Sequence, residues 1–323
     1  MNSKTVAPIG AFKIGRQGQV EPIEDAWPDV GVSTDETYRW LHFDLNEPGL
    51  ADWLNAHLPG SAAAALLQSE TRPRCDILDD GLILNLRGID LNPGADPEDM
   101  VSVRLWVTAT LVVSTRKRKV RAVDELRVKM ENATAPATVG AFLFELANSL
   151  TRRIETVSMD LEEETDSLEE RMIDHPGGLG KTLAPLRMQV IKLRRFVSPQ
   201  REALAQLVAT RTDVIDKNSR SLLRETANRA ARTVEELDAT RDRLAAIQEH
   251  VDAHNAAAFG KNSYILSLVA AIFLPLGFLT GLFGVNVSGM PGMESPYAFT
   301  ILSVMSVLIA VVLYLVFRLS KWL

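Results

Sequence analysis

One cysteine, Cys75, in 323 residues excludes a disulfide framework and any CxxC metal site, in keeping with a reducing compartment. The first thirty residues lack an apolar run of seven or more beside a basic start, so no secretory signal peptide is expected. Positive charge is in short supply: 35 Lys and Arg stand against 41 Asp and Glu, a net charge of -6. From Lys261 onward, Lys261, Arg318 and Lys321 against Glu294 leave +2, so the residues before them carry -8. An acidic body lacks the basic face that a phosphate backbone requires, and nucleic acid is not expected as a partner. The same charge is compatible with attracting cations. No P-loop, GxSxG, HExxH or paired-carboxylate constellation is present, so neither an enzyme nor a catalytic cofactor is expected.

The longest absence is of charge itself. From Asn262 to Phe317 the single charged residue is Glu294, within a polar break that begins at Gly284-Val285-Asn286. A membrane-spanning helix needs about 20 predominantly apolar residues, and Tyr264 to Phe283 and Ala298 to Phe317 both supply that length without a charge. A buried hairpin in a soluble core would be apolar on one stripe rather than on every face. Lys261 precedes the first span, Arg318 and Lys321 follow the second, and Val285 to Tyr297 holds no Lys or Arg. By the positive-inside rule both termini face the cytoplasm and the connecting loop lies outside.

Three regions are expected. Residues 1–135 alternate short apolar runs with Gly, Pro, Asn and Asp clusters and read as a cytoplasmic α/β domain. Strands are expected at Tyr38 to Leu45, Arg74 to Leu78, Leu82 to Leu86, Val101 to Val107 and Thr110 to Thr115, with helices at Leu50 to Leu58, Ala62 to Gln68 and Val123 to Met130. Residues 136–261 read as cytoplasmic long helices. The first runs from Val139 to Ile173, with Phe142, Leu146, Leu150, Ile154, Val157 and Leu161 at three-and-four spacing. His175-Pro176-Gly177-Gly178 stops it, and a second follows from about Leu179 to Thr210 with a bend expected near Pro199, the two forming an antiparallel hairpin. A third starts near Ser219 with the stripe Leu223, Ala227, Ala230, Val234, Leu237, Leu244, Ile247 and Val251. With no break stronger than Gly260, it should continue through the first span to Phe283, roughly 97 Å at 1.5 Å per residue. Residues 262–323 are the membrane hairpin: first span about 264–283, external loop 284–297, second span about 298–317.

Gly284-Val285-Asn286 gains weight from its position, after Phe273-Leu274-Pro275-Leu276-Gly277-Phe278-Leu279-Thr280-Gly281 and before Met290-Pro291-Gly292, at the outer end of the first of two C-terminal spans. In this the chain resembles the CorA superfamily of divalent-cation transporters. More narrowly it resembles the ZntB zinc-transporter branch, which Arg87 to Gly94 and Arg104 to Val107 also resemble. The magnesium branch has Gly-Met-Asn and a loop Met-Pro-Glu-Leu; here Val285 replaces the methionine and Gly292 stands in place of the acid, with Glu294 two residues later. That departure points away from magnesium and toward zinc. The resemblance implies a homopentamer in the inner membrane, a cytoplasmic funnel of α/β domains, a central pore lined by the long helix, and a ring of Asn286 at its outer mouth. It also suggests proton coupling, although neither span contains an Asp, Glu, His, Lys or Arg to relay a proton.

Symmetry turns each residue into a ring. Asn286 would offer amide oxygens that grip an ion's bound water without the deep trap of a carboxylate ring, and it would equally suit a helix C-cap. Ser263, Ser267, Ala270, Leu274, Gly277 and Gly281 fall on one face of the first span. Small side chains there either let helices approach closely or leave room for water, and Leu274 is a candidate gate. Pro275 removes one helical hydrogen bond mid-span. Glu294 is either a sparse anionic ring at the mouth or an ordinary solvated acid. His250 and His254, four apart with Asp252 between them, could grip zinc or simply coat a solvated stalk. The acids Glu162, Glu163, Glu164, Asp166, Glu169 and Glu170 form a cation reservoir or a charged helix face, the second being the plainer reading. The expected function is zinc uptake, with other transition metals also possible cargo. The alternatives are a magnesium or cobalt channel, zinc efflux, or a membrane-anchored metal sensor or scaffold.

Overall fold

A computed structural model describes residues 8–16, 18–25, 27–32, 35–78, 81–174, 178–285, 292 and 295–319. Seven strands make one sheet: β1 (Gly10–Gly15), β2 (Val20–Pro22), β3 (Glu36–Asp44), β4 (Arg74–Leu78), β5 (Gly81–Gly88), β6 (Val101–Val107) and β7 (Leu111–Arg116). Their spatial order is β2-β1-β3-β7-β6-β5-β4. Every pairing is antiparallel except β3 with β7, which closes a parallel crossover between two meanders. The five expected strands are present within two residues at each end. β1 and β2 were not expected, since Gly10 and Gly15 bracket only four residues, Ala11 to Ile14, too short a run to stand out as a strand; pairing with β3, from Gly10 opposite His42 to Lys13 opposite Arg39, holds β1 extended.

The period of two along each strand sorts the core onto two faces. On one, Leu41, Phe43, Ile83, Trp106, Leu111 and Val113 pack under α1 (Leu50–His57) and α2 (Gly60–Leu67). On the other, Tyr38, Trp40, Leu84, Leu86, Val103, Leu105 and Val112 meet α3 (Arg121–Glu131) and the long helices. Those are α4 (Val139–Asp174), α5 (Gly180–Ala209) and α6 (Lys217–Gly284). Phe142 of α4 sets its ring edge-on to Trp40, with centroids 5.1 Å apart. The helix of α5 is unbroken through both Pro185 and Pro199. His175, Pro176 and Gly177, expected to stop α4, lie outside the described residues.

Residues 1–248 form one compact unit and residues 249–323 a second. Within the first, ion pairs fix how the long helices run. Arg229 binds Glu155, with Nε donating to Oε1 at 2.9 Å, and Arg243 Nε donates to Glu169 at 2.8 Å. Both pairs join residues 74 apart in sequence, so α4 and α6 run parallel in a fixed register. Arg194 of α5 pairs with Asp238, and Arg220 Nη1 donates to the Val208 carbonyl at 2.8 Å, which sets α5 antiparallel to α6.

Both α4 and α6 carry buried hydroxyl residues repeating every seven positions: Thr151, Ser158 and Thr165 on α4, and Thr226, Thr233 and Thr240 on α6. Thr165, Thr226, Thr233 and Thr240 each donate to the carbonyl four residues back, so they are buried with their polarity met. At the start of the pair a Cβ on Gly140 would sit 2.9 Å from Cβ of Ser219, so glycine is what the close approach of the two backbones requires.

Candidate transport pathway

The second unit holds the C-terminal part of α6 and α7 (Ala298–Leu319). α6 is one continuous helix from the stripe that begins at Leu223 through the first apolar span, ending at Gly284 beside the expected Phe283, and it stays helical across Gly260 and Pro275. Both α6 and α7 contain stretches long and apolar enough to cross a membrane. No part of either stretch is buried within the chain. Full exposure of apolar residues on this scale is untenable in water, and in a bilayer it is what a lipid-facing or partner-facing helix requires.

Coverage along the spanning part of α6 is uneven, and the unevenness is periodic. Leu268, Ala271, Ile272, Pro275, Leu276 and Leu279 are partly covered. Ser263, Ser267, Ala270, Leu274, Gly277 and Gly281 are exposed, Leu274 at 76%. A Cβ added at Gly277 or Gly281 would meet nothing within 4 Å. The six expected pathway residues, which fall on one helix face, are therefore all left bare by this chain, as are Leu266, Phe273 and Phe278 around them. Pro275 cannot donate to the carbonyl of Ala271, and just beyond it Thr280 Oγ1 donates to the Leu276 carbonyl at 3.0 Å, which keeps that hydroxyl from needing water.

At the C-terminal end of the first span, Gly284 closes α6 and Val285 is 52% exposed. Asn286 and Glu294 lie outside the described residues. His250, Asp252 and His254 are exposed on α6. Among the described residues no three His, Cys, Asp or Glu side chains are gathered closely enough to hold a metal. The acidic stretch of α4 is partly committed elsewhere. Arg243 binds both Asp166 and Glu169, and its hydrogen bond holds the Glu169 carboxyl below the usual range.

Sequence reasoning missed one arrangement. At the 74-residue offset the rung between Glu155–Arg229 and Glu169–Arg243 is Glu162 opposite Glu236, acid against acid. Burial, then the charges of Glu162 and Glu155, push the Glu236 carboxyl up from its ordinary value, against the opposing pull of Arg232. The signal was there, in Glu155, Glu162 and Glu169 at sevens facing Arg229, Glu236 and Arg243 at sevens.

An α/β unit followed by two uncovered apolar helices, one of them a continuous extension of that unit's longest helix, is the build of a membrane protein. Residues 35–319 match the family described as CorA-like Mg2+ transporter protein, and the chain belongs to that family. Among its relatives is the zinc transport protein ZntB of Pectobacterium carotovorum, 34% identical over 98% of this chain and 96% of the relative. The divalent cation transporter CmaX of Pseudomonas aeruginosa is 34% identical over 89% of this chain and 88% of its own length. The solved structure of full-length CmaX superposes with a TM-score of 0.82 at 30% identity and covers all of both chains. The resemblance to the CorA superfamily and its ZntB branch, drawn from the motif at Gly284, is thereby borne out.

Proposed function

We propose that this chain is one subunit of a homopentamer that carries Zn2+ inward across the inner membrane, both termini cytoplasmic. The observation that carries the reading is the bare face of α6 from Ser263 to Gly281. One hairpin cannot enclose a path for a hydrated ion. Several copies around an axis can, and the face without large side chains is the one that would line it. Leu274 then forms an apolar constriction in an otherwise small-residue path, and Asn286 a ring of amide oxygens at the mouth. Zinc is favoured as cargo by the relatives named ZntB and by Val285 and Gly292 where the magnesium motif has other residues.

Inward flow needs no energy source beyond the membrane potential, since two charges crossing 100 mV gain about 4.6 kcal/mol. Proton coupling would have to use groups outside the two spans. In this reading His250, His254 and Asp252 serve as a cytoplasmic zinc-contacting patch completed only between subunits. A second reading, a carrier of wider divalent range, is favoured by the similarity to CmaX.

Flux into liposomes containing the purified protein tests the proposal. Zinc entry above empty vesicles, increased by an inside-negative voltage and reduced in Asn286→Ala, is the expected result. No flux above empty vesicles, with Asn286→Ala indistinguishable from wild type, would sink it. Competition by magnesium, cobalt, nickel and cadmium in the same vesicles separates the narrow reading from the wide one.

A further inference from the structure

Just before the bare face of α6 stand two residues that packing within the chain does not account for. Phe259 is 74% exposed and is the one large apolar side chain from Asp252 to Ser263. Gly260 follows it inside a continuous helix. Glycine in a helix interior costs about 1 kcal/mol against alanine, and three alanines, Ala256, Ala257 and Ala258, stand directly before the pair. A Cβ on Gly260 would meet nothing within 4 Å, so no close approach inside the chain calls for its absence.

Helical phase decides which way the two residues face. At roughly 3.6 residues per turn, positions about 18 apart are separated by about five whole turns and share one side of the helix. Phe259 is thus in line with Gly277, as Ser263 is with Gly281 and Ala256 with Leu274, and the later member of each pair lies on the bare pathway face. By the same rule Lys261 is in line with Leu279, which is partly covered, so it points away from that face. An aromatic anchor at a membrane boundary would sit on the lysine's side, against the headgroups. Phe259 faces the path instead.

The two residues also fall on opposite flanks of that face. At about 100° per residue, Phe259 lies about 40° to one side of Ser263 and Gly260 about 60° to the other. In a closed ring of five copies each helix has a neighbour about 54° to either side of the line to the axis. The phenyl ring of one copy therefore meets the glycine of the next, at heights that differ by one residue's rise of about 1.5 Å. A large side chain on one flank and a missing one on the other are complementary, and glycine is then what the close approach of a second copy requires.

We propose that Phe259 closes the path at its N-terminal end, the ring of each subunit seated on Gly260 of the next; the inference rests on the homopentameric transporter proposed above. The closed ring is an apolar constriction distinct from Leu274, which lies roughly 22 Å further along the helix. It offers a hydrated cation no oxygen to replace its water, so it blocks by excluding water from the path. Between the two constrictions Ser263, Ser267 and Ala270 leave room for an ion that keeps its water. Passage requires the phenyl ring to leave the glycine, by a change of rotamer or a small rotation of α6.

Two readouts on the full chain test this. In liposomes at one fixed voltage, Phe259→Ala should admit zinc severalfold faster than wild type, and Phe259→Leu, which keeps part of the apolar bulk, should raise the rate far less. A Phe259→Ala rate equal to or below that of wild type overturns the constriction. The second readout does not depend on transport, and the buried Cys75 leaves it a quiet background. Phe259→Cys combined with Gly260→Cys, oxidised in membranes, should join each copy to the next and give a ladder of bands above the dimer on a denaturing gel. Phe259→Cys combined with Lys261→Cys should give nothing above the dimer. No ladder from the first pair, or equal ladders from both, overturns the contact. Wild-type vesicles that carry no zinc, with Asn286→Ala the same, would sink the transport reading and the constriction with it, while the ladder still decides whether Phe259 and Gly260 meet.

Discussion

The two parts of α6 are one helix in two surroundings. Before residue 249 its stripe is covered within the chain: Leu223, Leu237 and Leu244 are fully buried, and Thr226, Thr233 and Thr240 are buried with their hydroxyls satisfied. Beyond it, Phe273, Leu274 and Phe278 are 65% to 76% exposed, although they are as apolar as anything in the core. In the first part the chain itself supplies the partner, so helix stability comes from packing of one face. In the second the bilayer and other copies must supply it. Burial within a single chain therefore tells core residues from pathway and lipid-facing residues, where hydropathy alone does not.

The contrast is tested hardest by equivalent truncations on its two sides. Phe142→Ala, which removes a ring packed on Tyr38 and Trp40, should destabilise the soluble unit by about 3–5 kcal/mol in denaturant unfolding. Phe278→Ala should leave that transition where it is. Equal losses from both would show that the spanning part is packed like a core.

Smaller effects probe the ladder between α4 and α6. Arg229→Met loses the pair with Glu155 and the 2.7 Å bond to Asn148, for about 1 kcal/mol given that both partners are partly exposed. Acid should weaken the ladder too. The hydrogen bond from Arg243 holds Glu169 below its ordinary pKa, as that from Arg194 of α5 holds Asp238 on the other side of α6. Their contribution is complete above the unfolded carboxylate values, about 4, and is lost as pH falls through the folded ones. Arg243→Met should flatten that loss in a stability profile across pH 2 to 6.

The acid–acid rung has the opposite sign. Because Glu236 is raised by burial and by Glu162, ionising it costs the fold stability at neutral pH, and protonation relieves that cost as pH falls through its folded value. Glu236→Gln should therefore stabilise by a few tenths of a kcal/mol at pH 7, with the gain vanishing in acid. A destabilising Glu236→Gln would mean the rung is bridged.

Much of this was legible in the sequence where pattern and surroundings agree. β3 to β7 could be read because Tyr38, Trp40 and Leu84, Leu86 alternate onto a buried face, and the continuous α6 because nothing between Lys217 and Gly284 stops a helix. β1 was not, because Gly10 and Gly15 hide a strand that only its pairing with β3 imposes. The buried heptad of Thr226, Thr233 and Thr240 is not legible from apolar stripes, because a hydroxyl that bonds back to its own helix can be buried without being apolar. The bare face from Ser263 to Gly281 was legible as a periodicity of small residues; that nothing in this chain covers it was not, since coverage is a property of the fold.

Thiol accessibility tests the central claim most directly. Cys75 is buried, and burial followed by the nearby Asp76 charge pushes its thiol up to about 12, so the wild type is a silent background for reagents that need a thiolate. Single cysteines placed at 263, 267, 270, 274, 277 and 281, and at 268, 272, 276 and 279, would be treated in intact membranes with a water-soluble thiol reagent. The account predicts modification along the first set, slowed by zinc, and protection along the second. Equal protection of both sets, or reaction only at 268, 272, 276 and 279, would contradict it.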